Sequence, residues 1–314
     1  MPDLTVDLGD SLKLNTPLIT ASGTFGYGKE YADLISFEDL GAIAVKGISY
    51  RPALGNPQPR TAEVFGGMLN SIGLQNPGIK TFLHDPDYLP WLRTQPTRLF
   101  VNIWGTSVEE YSAVSACIEE EGSGIDALEI NISCPNIKEG GAKFGTDLDA
   151  AASVVQAVRE STTLPLITKL SPDVADIGAF ARSVADAGSD AISLVNTIPA
   201  MAIDSSTWRP KLSSVTGGMS GPAIKPIALR MVYEAAQAVD IPIIGMGGIC
   251  STADAVEFLL AGADAVGIGT ALFRRPDIPR KIVQELNEYL EEHGCTSVTQ
   301  LTGAMQPPAG GEHL

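Results

Sequence analysis

Cys134 lies in the run Asn131-Ile132-Ser133-Cys134-Pro135-Asn136, directly after the apolar stretch Ala127 to Ile132. A thiol between amide side chains, with a proline fixing the loop, has the composition of a reactive site at a strand end. The chemistry it offers is proton abstraction. An ordinary thiol pKa near ~8.5 needs only a modest lowering to serve as a general base at neutral pH. A single cysteine is more often a small buried hydrophobe, so the assignment depends on its surroundings. Those surroundings are polar residues closing apolar runs: Ser22-Gly23, Lys46-Gly47, Asn102, Asn131, Lys169, Asn196-Thr197, Gly247-Gly248 and Gly269-Thr270. Serine, asparagine and glycine commonly start loops, and a lysine can snorkel from a rim. Lys46, Lys169, Asn102, Asn131 and Asn196 in otherwise apolar strands fit that explanation poorly, because buried amides need hydrogen-bond partners and buried cations need an anion. A ligand would supply both.

Part of the ligand is legible. Gly245-Met246-Gly247-Gly248-Ile249 before Ser251-Thr252, and Gly267-Ile268-Gly269-Thr270-Ala271-Leu272, put glycine backbones beside helix starts, where main-chain N–H groups can approach phosphate oxygens. Flavin mononucleotide and sugar phosphates both use such a site. Lys169 favours the flavin, since a cation near the N1/O2 edge stabilises the anionic reduced ring.

These residues must be held by a repeating scaffold. Near-continuously apolar runs at Pro17–Ser22, Ala42–Gly47, Arg98–Gly105, Ala127–Ser133, Leu164–Leu170, Ala191–Thr197, Pro242–Gly248 and Ala265–Leu272 read as strands covered on both faces. Amphipathic stretches at Val108–Glu121, Leu148–Glu160, Ile177–Ala187, Pro226–Val239, Thr252–Leu260 and Ile278–Glu292 read as helices. Eight β-then-α units predict an α/β fold, a (β/α)8 TIM barrel, with every polar strand end on its C-terminal face. The doubly wound sheet is disfavoured because Ala21-Ser22-Gly23-Thr24-Phe25-Gly26 lacks the Gly-x-Gly-x-x-Gly spacing. A pair around Thr5–Asn15, with Gly9-Asp10 at its turn, predicts an N-terminal hairpin plugging the bottom. Residues 48–97 after strand two and Ile198–Met219 after strand six are longer than crossovers need, and both start on the active-site face, so they should cover or wall a pocket. Residues 1–305 form one domain in this reading, and the Pro/Gly-rich tail 306–314 is disordered.

Composition removes other classes. A net charge of −16 opposes nucleic acid, whose binding rests on basic residues meeting phosphates. No run approaches the roughly 18 apolar residues of a membrane span, and acidic Asp3 and Asp7 follow Met1 where a secretion signal would be basic. A cytoplasmic protein is expected. Cys117, Cys134, Cys250 and Cys295 are widely separated, which argues against a metal site, an iron–sulfur cluster of its own or a disulfide framework.

The motifs Val45-Lys46-Gly47, Gly67 through Gly78 (with Asn70-Ser71-Ile72-Gly73-Leu74 at its centre), Asn131 to Asn136, Leu170-Ser171-Pro172, Val195-Asn196-Thr197 and Gly217 through Pro226 together are highly specific. Over about residues 4–273 the chain resembles the catalytic subunits of class 1, B-type dihydroorotate dehydrogenases. The resemblance implies FMN contacts at Ser22, Lys46, Gly47, Asn102, Asn131, Lys169, Val195, Gly221, Gly247, Gly248, Gly269 and Thr270. It implies dihydroorotate or orotate contacts at Lys46, Asn70, Ser71, Ile72, Gly73, Leu74, Asn131, Asn196 and Thr197, and a catalytic base at Cys134. The chemistry agrees, since the amides match a pyrimidine's own amide edges and Lys46 can face a carboxylate. The implied reaction is oxidation of (S)-dihydroorotate to orotate in pyrimidine biosynthesis. Electrons then pass to NAD+ through a separate iron–sulfur and FAD subunit, in a heterotetramer built on a homodimeric core. Trp104 departs from the family pattern, which has a small residue there, so different packing is expected near strand three. A fumarate-reducing A-type enzyme and a dihydropyrimidine-type flavoprotein share most motifs, and a non-catalytic phosphate-binding barrel would explain only the glycines.

Overall fold

The computed structural model describes residues 1–9, 12–133 and 144–307. Eight parallel strands close into a barrel: β1 (Leu18–Thr20), β2 (Ala42–Ala44), β3 (Arg98–Ile103), β4 (Ala127–Asn131), β5 (Leu166–Lys169), β6 (Ala191–Leu194), β7 (Ile243–Met246) and β8 (Ala265–Ile268). Each is hydrogen-bonded to its neighbours in chain order, and pairing of Ile268 with Thr20 closes the ring. Every residue of β4 through β8 is buried, as their largely apolar character suits strands with helices outside and side chains within. All eight lie inside the expected runs but are shorter. Their final residues leave the ladder and turn over the barrel's C-terminal mouth.

The outer layer follows from periodicity and capping. The helices α1 (Val108–Glu121), α2 (Leu148–Ser161), α3 (Ile177–Asp186), α4 (Lys225–Ala236), α5 (Thr252–Leu260) and α6 (Ile278–Glu292) match the expected stretches to within three residues at each end. In α1 the buried residues Tyr111, Val114, Ser115 and Ile118 recur at helical spacing on one face. Ser107, Asp147, Asp176 and Ser251 accept backbone N–H groups at the starts of α1, α2, α3 and α5, satisfying donors that a helix start leaves open. The first unit departs from the expected strand-then-helix pattern. Between β1 and β2 the chain has only the 3-10 turns Lys29–Tyr31 and Phe37–Asp39, and the stacked rings of Phe25 and Tyr31, with Phe37 edge-on to Phe25, fill the space of a helix.

The N-terminal hairpin forms between Val6–Asp7 and Lys13–Leu14. Leu8, Leu12 and Leu14 are fully buried, and Arg98 at the start of β3 donates to the Lys13 carbonyl, so the hairpin covers the end opposite the polar strand termini. Asp10 of its predicted turn lies outside the described residues, as do Cys134 to Asn136 and tail residues 308–314.

The two long insertions build one object. Thr61–Val64 and Gly67–Asn70 from the first join Ile198–Met201 and Thr216–Ser220 from the second in a single antiparallel sheet. Its central seam pairs Gly218, Met219 and Ser220 with Asn70, Leu69 and Met68. At the edge of that seam a side chain on Gly67 would stand 1.9 Å from the Ser220 carbonyl oxygen. Among the described residues, no helix is long and apolar enough to cross a membrane.

Candidate active site

Beneath this sheet, at the C-terminal ends of β5 to β8 and β1, lies a cleft. Ser22, Lys169, Val195, Asn196 and Thr197 line one part of it, and Gly221, Gly247, Gly248, Gly269 and Thr270 the rest. Ten predicted residues from six chain segments therefore meet in one place. Lys46, Gly47, Asn102, Asn131 and residues 70–74 are not in that lining, but a chain of contacts connects several of them to it. Asn70 Nδ2 donates to the Gly218 carbonyl at 3.3 Å, and a side chain on Gly218 would strike Thr197. Asn196 Nδ2 donates to Ser133 Oγ, which donates to Asn131 Oδ1 at 2.8 Å. The Asn131 carbonyl accepts the buried Tyr111 hydroxyl at 2.7 Å.

At one end the cleft offers anion donors. The backbone N–H groups of Gly248, Ile249, Gly269 and Thr270 have no acceptor among the described residues. At the α5 start Ser251 Oγ accepts the Asp254 N–H, and a carboxylate already stands there: Asp254 accepts the Cys250 N–H and the Ser251 hydroxyl and is held by Lys225 at 2.6 Å. The free N–H groups sit instead on the glycine turns and before the single helical turn Ala271–Arg274.

At the other end the charges differ in kind. Lys169 Nζ donates to Ser22 Oγ at 3.2 Å and lies 3.6 Å from Glu129 Oε1, both partners of the ion pair being buried. The anion that a buried Lys169 demands is thus supplied by the barrel, and no ligand is required for that purpose. Glu129 escaped the sequence reading, although a glutamate in the wholly buried run Ala127–Asn131 was itself a signal, since carboxylates are almost never fully buried unpaired. The Lys46 backbone N–H donates to the Gly26 carbonyl at 2.8 Å, and its ammonium has no acceptor among the described residues. Burial pushes its pKa below the usual 10.5, and the nearby Arg60 charge pushes the same way. Arg60 also escaped notice. With Asn56 and Asn76 it shapes the 70–74 segment: the Arg60 carbonyl accepts the Ser71 N–H, Asn56 Nδ2 donates to Ser71 Oγ at 2.7 Å, and Asn76 Nδ2 donates to the Leu74 carbonyl at 2.9 Å.

Asn102 is buried on β3 and gives its amide N–H to Glu129 Oε2 at 2.6 Å, while its Oδ1 has no partner among the described residues. That oxygen faces Gly47, where an added side chain would meet it at 2.6 Å and Trp104 Cδ1 at 3.1 Å. Trp104 therefore packs against the Gly47 backbone, and its own buried Nε1 is also unpartnered. Free N–H groups at one end, with two cations and paired amides toward the other, suit a ligand that is phosphorylated at one end and amide-edged at the other.

A family model for dihydroorotate dehydrogenase matches residues 6–290. The chain is 52% identical over 304 residues to the dihydroorotate dehydrogenase B (NAD(+)), catalytic subunit, of Geotalea uraniireducens, covering 97% of this chain and 98% of that protein. The protein of the same name from Bacteroides fragilis is 49% identical over 306 residues, covering 98% and 100%. Among solved structures, DHODH from Eimeria tenella in complex with ferulenol matches with a TM-score of 0.79 at 23% identity, covering 97% of this chain and 89% of that one, a likeness of fold. By sequence along nearly its whole length, this chain belongs to the dihydroorotate dehydrogenase family of oxidoreductases.

Proposed function

We propose that the chain is an FMN-bearing catalytic subunit that oxidises (S)-dihydroorotate to orotate and passes electrons to NAD+ through a separate iron–sulfur and FAD subunit. The observation that carries this reading is the occurrence, at one barrel mouth, of a cation with no acceptor among the described residues, Lys46, with the amides of Asn131 and Asn196, linked through Ser133, and of Asn70, bonded to Gly218. A pyrimidine bearing a carboxylate complements both.

Two observations support FMN as the resident group: the unpartnered Oδ1 of buried Asn102, and the free N–H groups at Gly248, Gly269 and Thr270. The first fits a ring N–H and the second a phosphate. On this reading Ser22, Lys46, Gly47, Asn102, Asn131, Lys169 and Val195 lie along the ring and ribityl chain, and Gly221, Gly247, Gly248, Gly269 and Thr270 hold the phosphate end. When bound, FMN supplies the hydride acceptor. Lys169 places a fixed positive charge beside it, which favours the negative charge of its reduced form. Lys46 and residues 70–74 orient the substrate carboxylate and one ring edge; Asn131, Asn196 and Thr197 orient the other. Cys134 takes the C5 proton onto sulfur as the C6 hydride departs.

The test is anaerobic mixing of the purified protein with dihydroorotate while its absorbance is followed. A yellow flavin spectrum that bleaches on addition is expected. A colourless protein, or a flavin that dihydroorotate leaves oxidised, would overturn the reading.

A further inference from the structure

Glu129 joins three other barrel strands through one buried carboxylate. Its Oε2 accepts Asn102 Nδ2 from β3 at 2.6 Å, and its Oε1 accepts Ser193 Oγ from β6 at 2.8 Å and lies 3.6 Å from Lys169 Nζ of β5. All four residues are nearly solvent-free, with exposures of 3% for Glu129, 1% for Asn102, 0% for Ser193 and 3% for Lys169. Strand β6 is not a neighbour of β4, so the Ser193 bond crosses the barrel interior. Two of the three partners are residues assigned above to the FMN ring. We propose that Glu129 is the positioning residue of the flavin site: it fixes which way Asn102 and Lys169 face the ring, and its negative charge offsets part of the Lys169 field and so sets the flavin potential. The inference rests on the FMN reading given above.

Glu129 acts on the site by orientation and by charge. An ionised carboxylate can only accept hydrogen bonds, so Asn102 must turn its NH2 group toward Glu129. That leaves Oδ1 as the atom presented past Gly47, a hydrogen-bond acceptor. A glutamine at position 129 could donate as well as accept, and this restriction would vanish. The second effect is electrostatic. In a buried site, screening by water is weak, and a carboxylate 3.6 Å from Lys169 counteracts the stabilisation that the cation gives to an anionic reduced ring. The pair reaches the cleft only through Lys169, because Glu129 is not in its lining. Glu129 thus acts through its partners.

The experiment measures the midpoint potential of bound FMN, the dissociation constants of oxidised FMN and orotate, and thermal stability, in the wild-type full chain and in Glu129→Gln. Removing the negative charge should favour reduced over oxidised FMN by about tenfold, a rise of about 30 mV for a two-electron couple. Ser193→Ala deletes one donor to Oε1 and leaves that oxygen more negative toward Lys169, so it should shift the potential the opposite way, by about threefold in the same ratio. This milder variant keeps the test open if Glu129→Gln does not fold. Glu129→Asp, which keeps the charge, should stay near the wild-type potential. FMN-loaded variants whose potentials match the wild type, with only their melting temperatures changed, would make Glu129 a structural polar residue and overturn the inference. A wild-type protein that binds no FMN would overturn the functional reading itself and this inference with it.

Discussion

Asn196 Nδ2 and Ser133 Oγ are joined by a 2.5 Å hydrogen bond that ties the loop after β6 to the last described residue before Cys134. Ser133 is buried and also bonded to Asn131, so two predicted substrate-side residues, Asn131 and Asn196, share one short network through it. The proposed base follows directly on that anchor in sequence. Cys134→Ser is expected to retain FMN and orotate binding and to lose roughly 10²- to 10⁴-fold in turnover, the usual range for a general base. Part of the loss should be recovered at high pH, since a hydroxyl is the weaker acid. Stopped-flow flavin reduction measures this directly, and a near-normal rate at neutral pH would exclude Cys134 as the base.

Lys46 gives a pH dependence with a definite sign. Burial lowers its pKa from 10.5 in the folded protein, so between the lowered value and 10.5 the unfolded chain binds more protons than the folded one. Stability therefore rises with pH across that window, and the cost of burying the cation is fully present below it. A substrate carboxylate reverses the preference by pairing with the charged form. Orotate affinity should thus fall as pH rises through the lowered pKa, beginning below 10.5, with proton uptake on binding in the same range. Isothermal titration in buffers of different ionisation enthalpy reports both, and Lys46→Met should weaken binding and abolish the linked proton.

Lys169→Ala should affect two quantities separately. Losing the cation lowers the flavin potential and slows flavin reduction. It also leaves the Glu129 carboxylate buried without its counter-charge, and breaking such a pair from one side costs about 3–5 kcal/mol. Adding Glu129→Gln to Lys169→Ala should restore much of the melting temperature while the potential stays below that of Glu129→Gln alone. Recovery of both, or of neither, would contradict the assignment of separate electrostatic and structural roles.

The isolated chain is expected to reduce artificial dyes with dihydroorotate but not NAD+, because its cysteines are unclustered and it lacks a dinucleotide fingerprint. Adding an electron-transfer subunit should restore NAD+ reduction. Efficient fumarate reduction by the chain alone would point to the A-type reaction instead.

The barrel was legible because its strands are buried on both faces and so read as near-continuously apolar runs, while its helices carry ordinary periodicity and side-chain caps. The first unit was not, because aromatic stacking of Phe25 on Tyr31 substitutes for a helix and leaves no periodic trace. Within the site, residues at strand ends stood out as polar breaks in apolar runs, and eight of them line one cleft. Glu129, Arg60, Asn56 and Asn76 were harder to see. Glu129 matters through partners distant in sequence, Ser193 being 64 positions away, and the other three matter by holding the backbone of the 70–74 segment. The Asp254 carboxylate at the α5 start was equally hidden: it accepts the Cys250 N–H and the Ser251 hydroxyl, where Ser251-Thr252 alone reads as an open helix start.

The sheet above the cleft has a consequence for how such barrels can be altered. Its middle strands, Gly67–Asn70 and Thr216–Ser220, come from different insertions, and neither insertion alone can complete the sheet. Grafting only one of them onto another barrel would leave a row of unpaired backbone groups at an exposed strand edge, a template for aggregation. The two loops thus form a single hereditary unit written in two places along the chain: lengthening or shortening one strand of the seam calls for a matching change more than a hundred residues away.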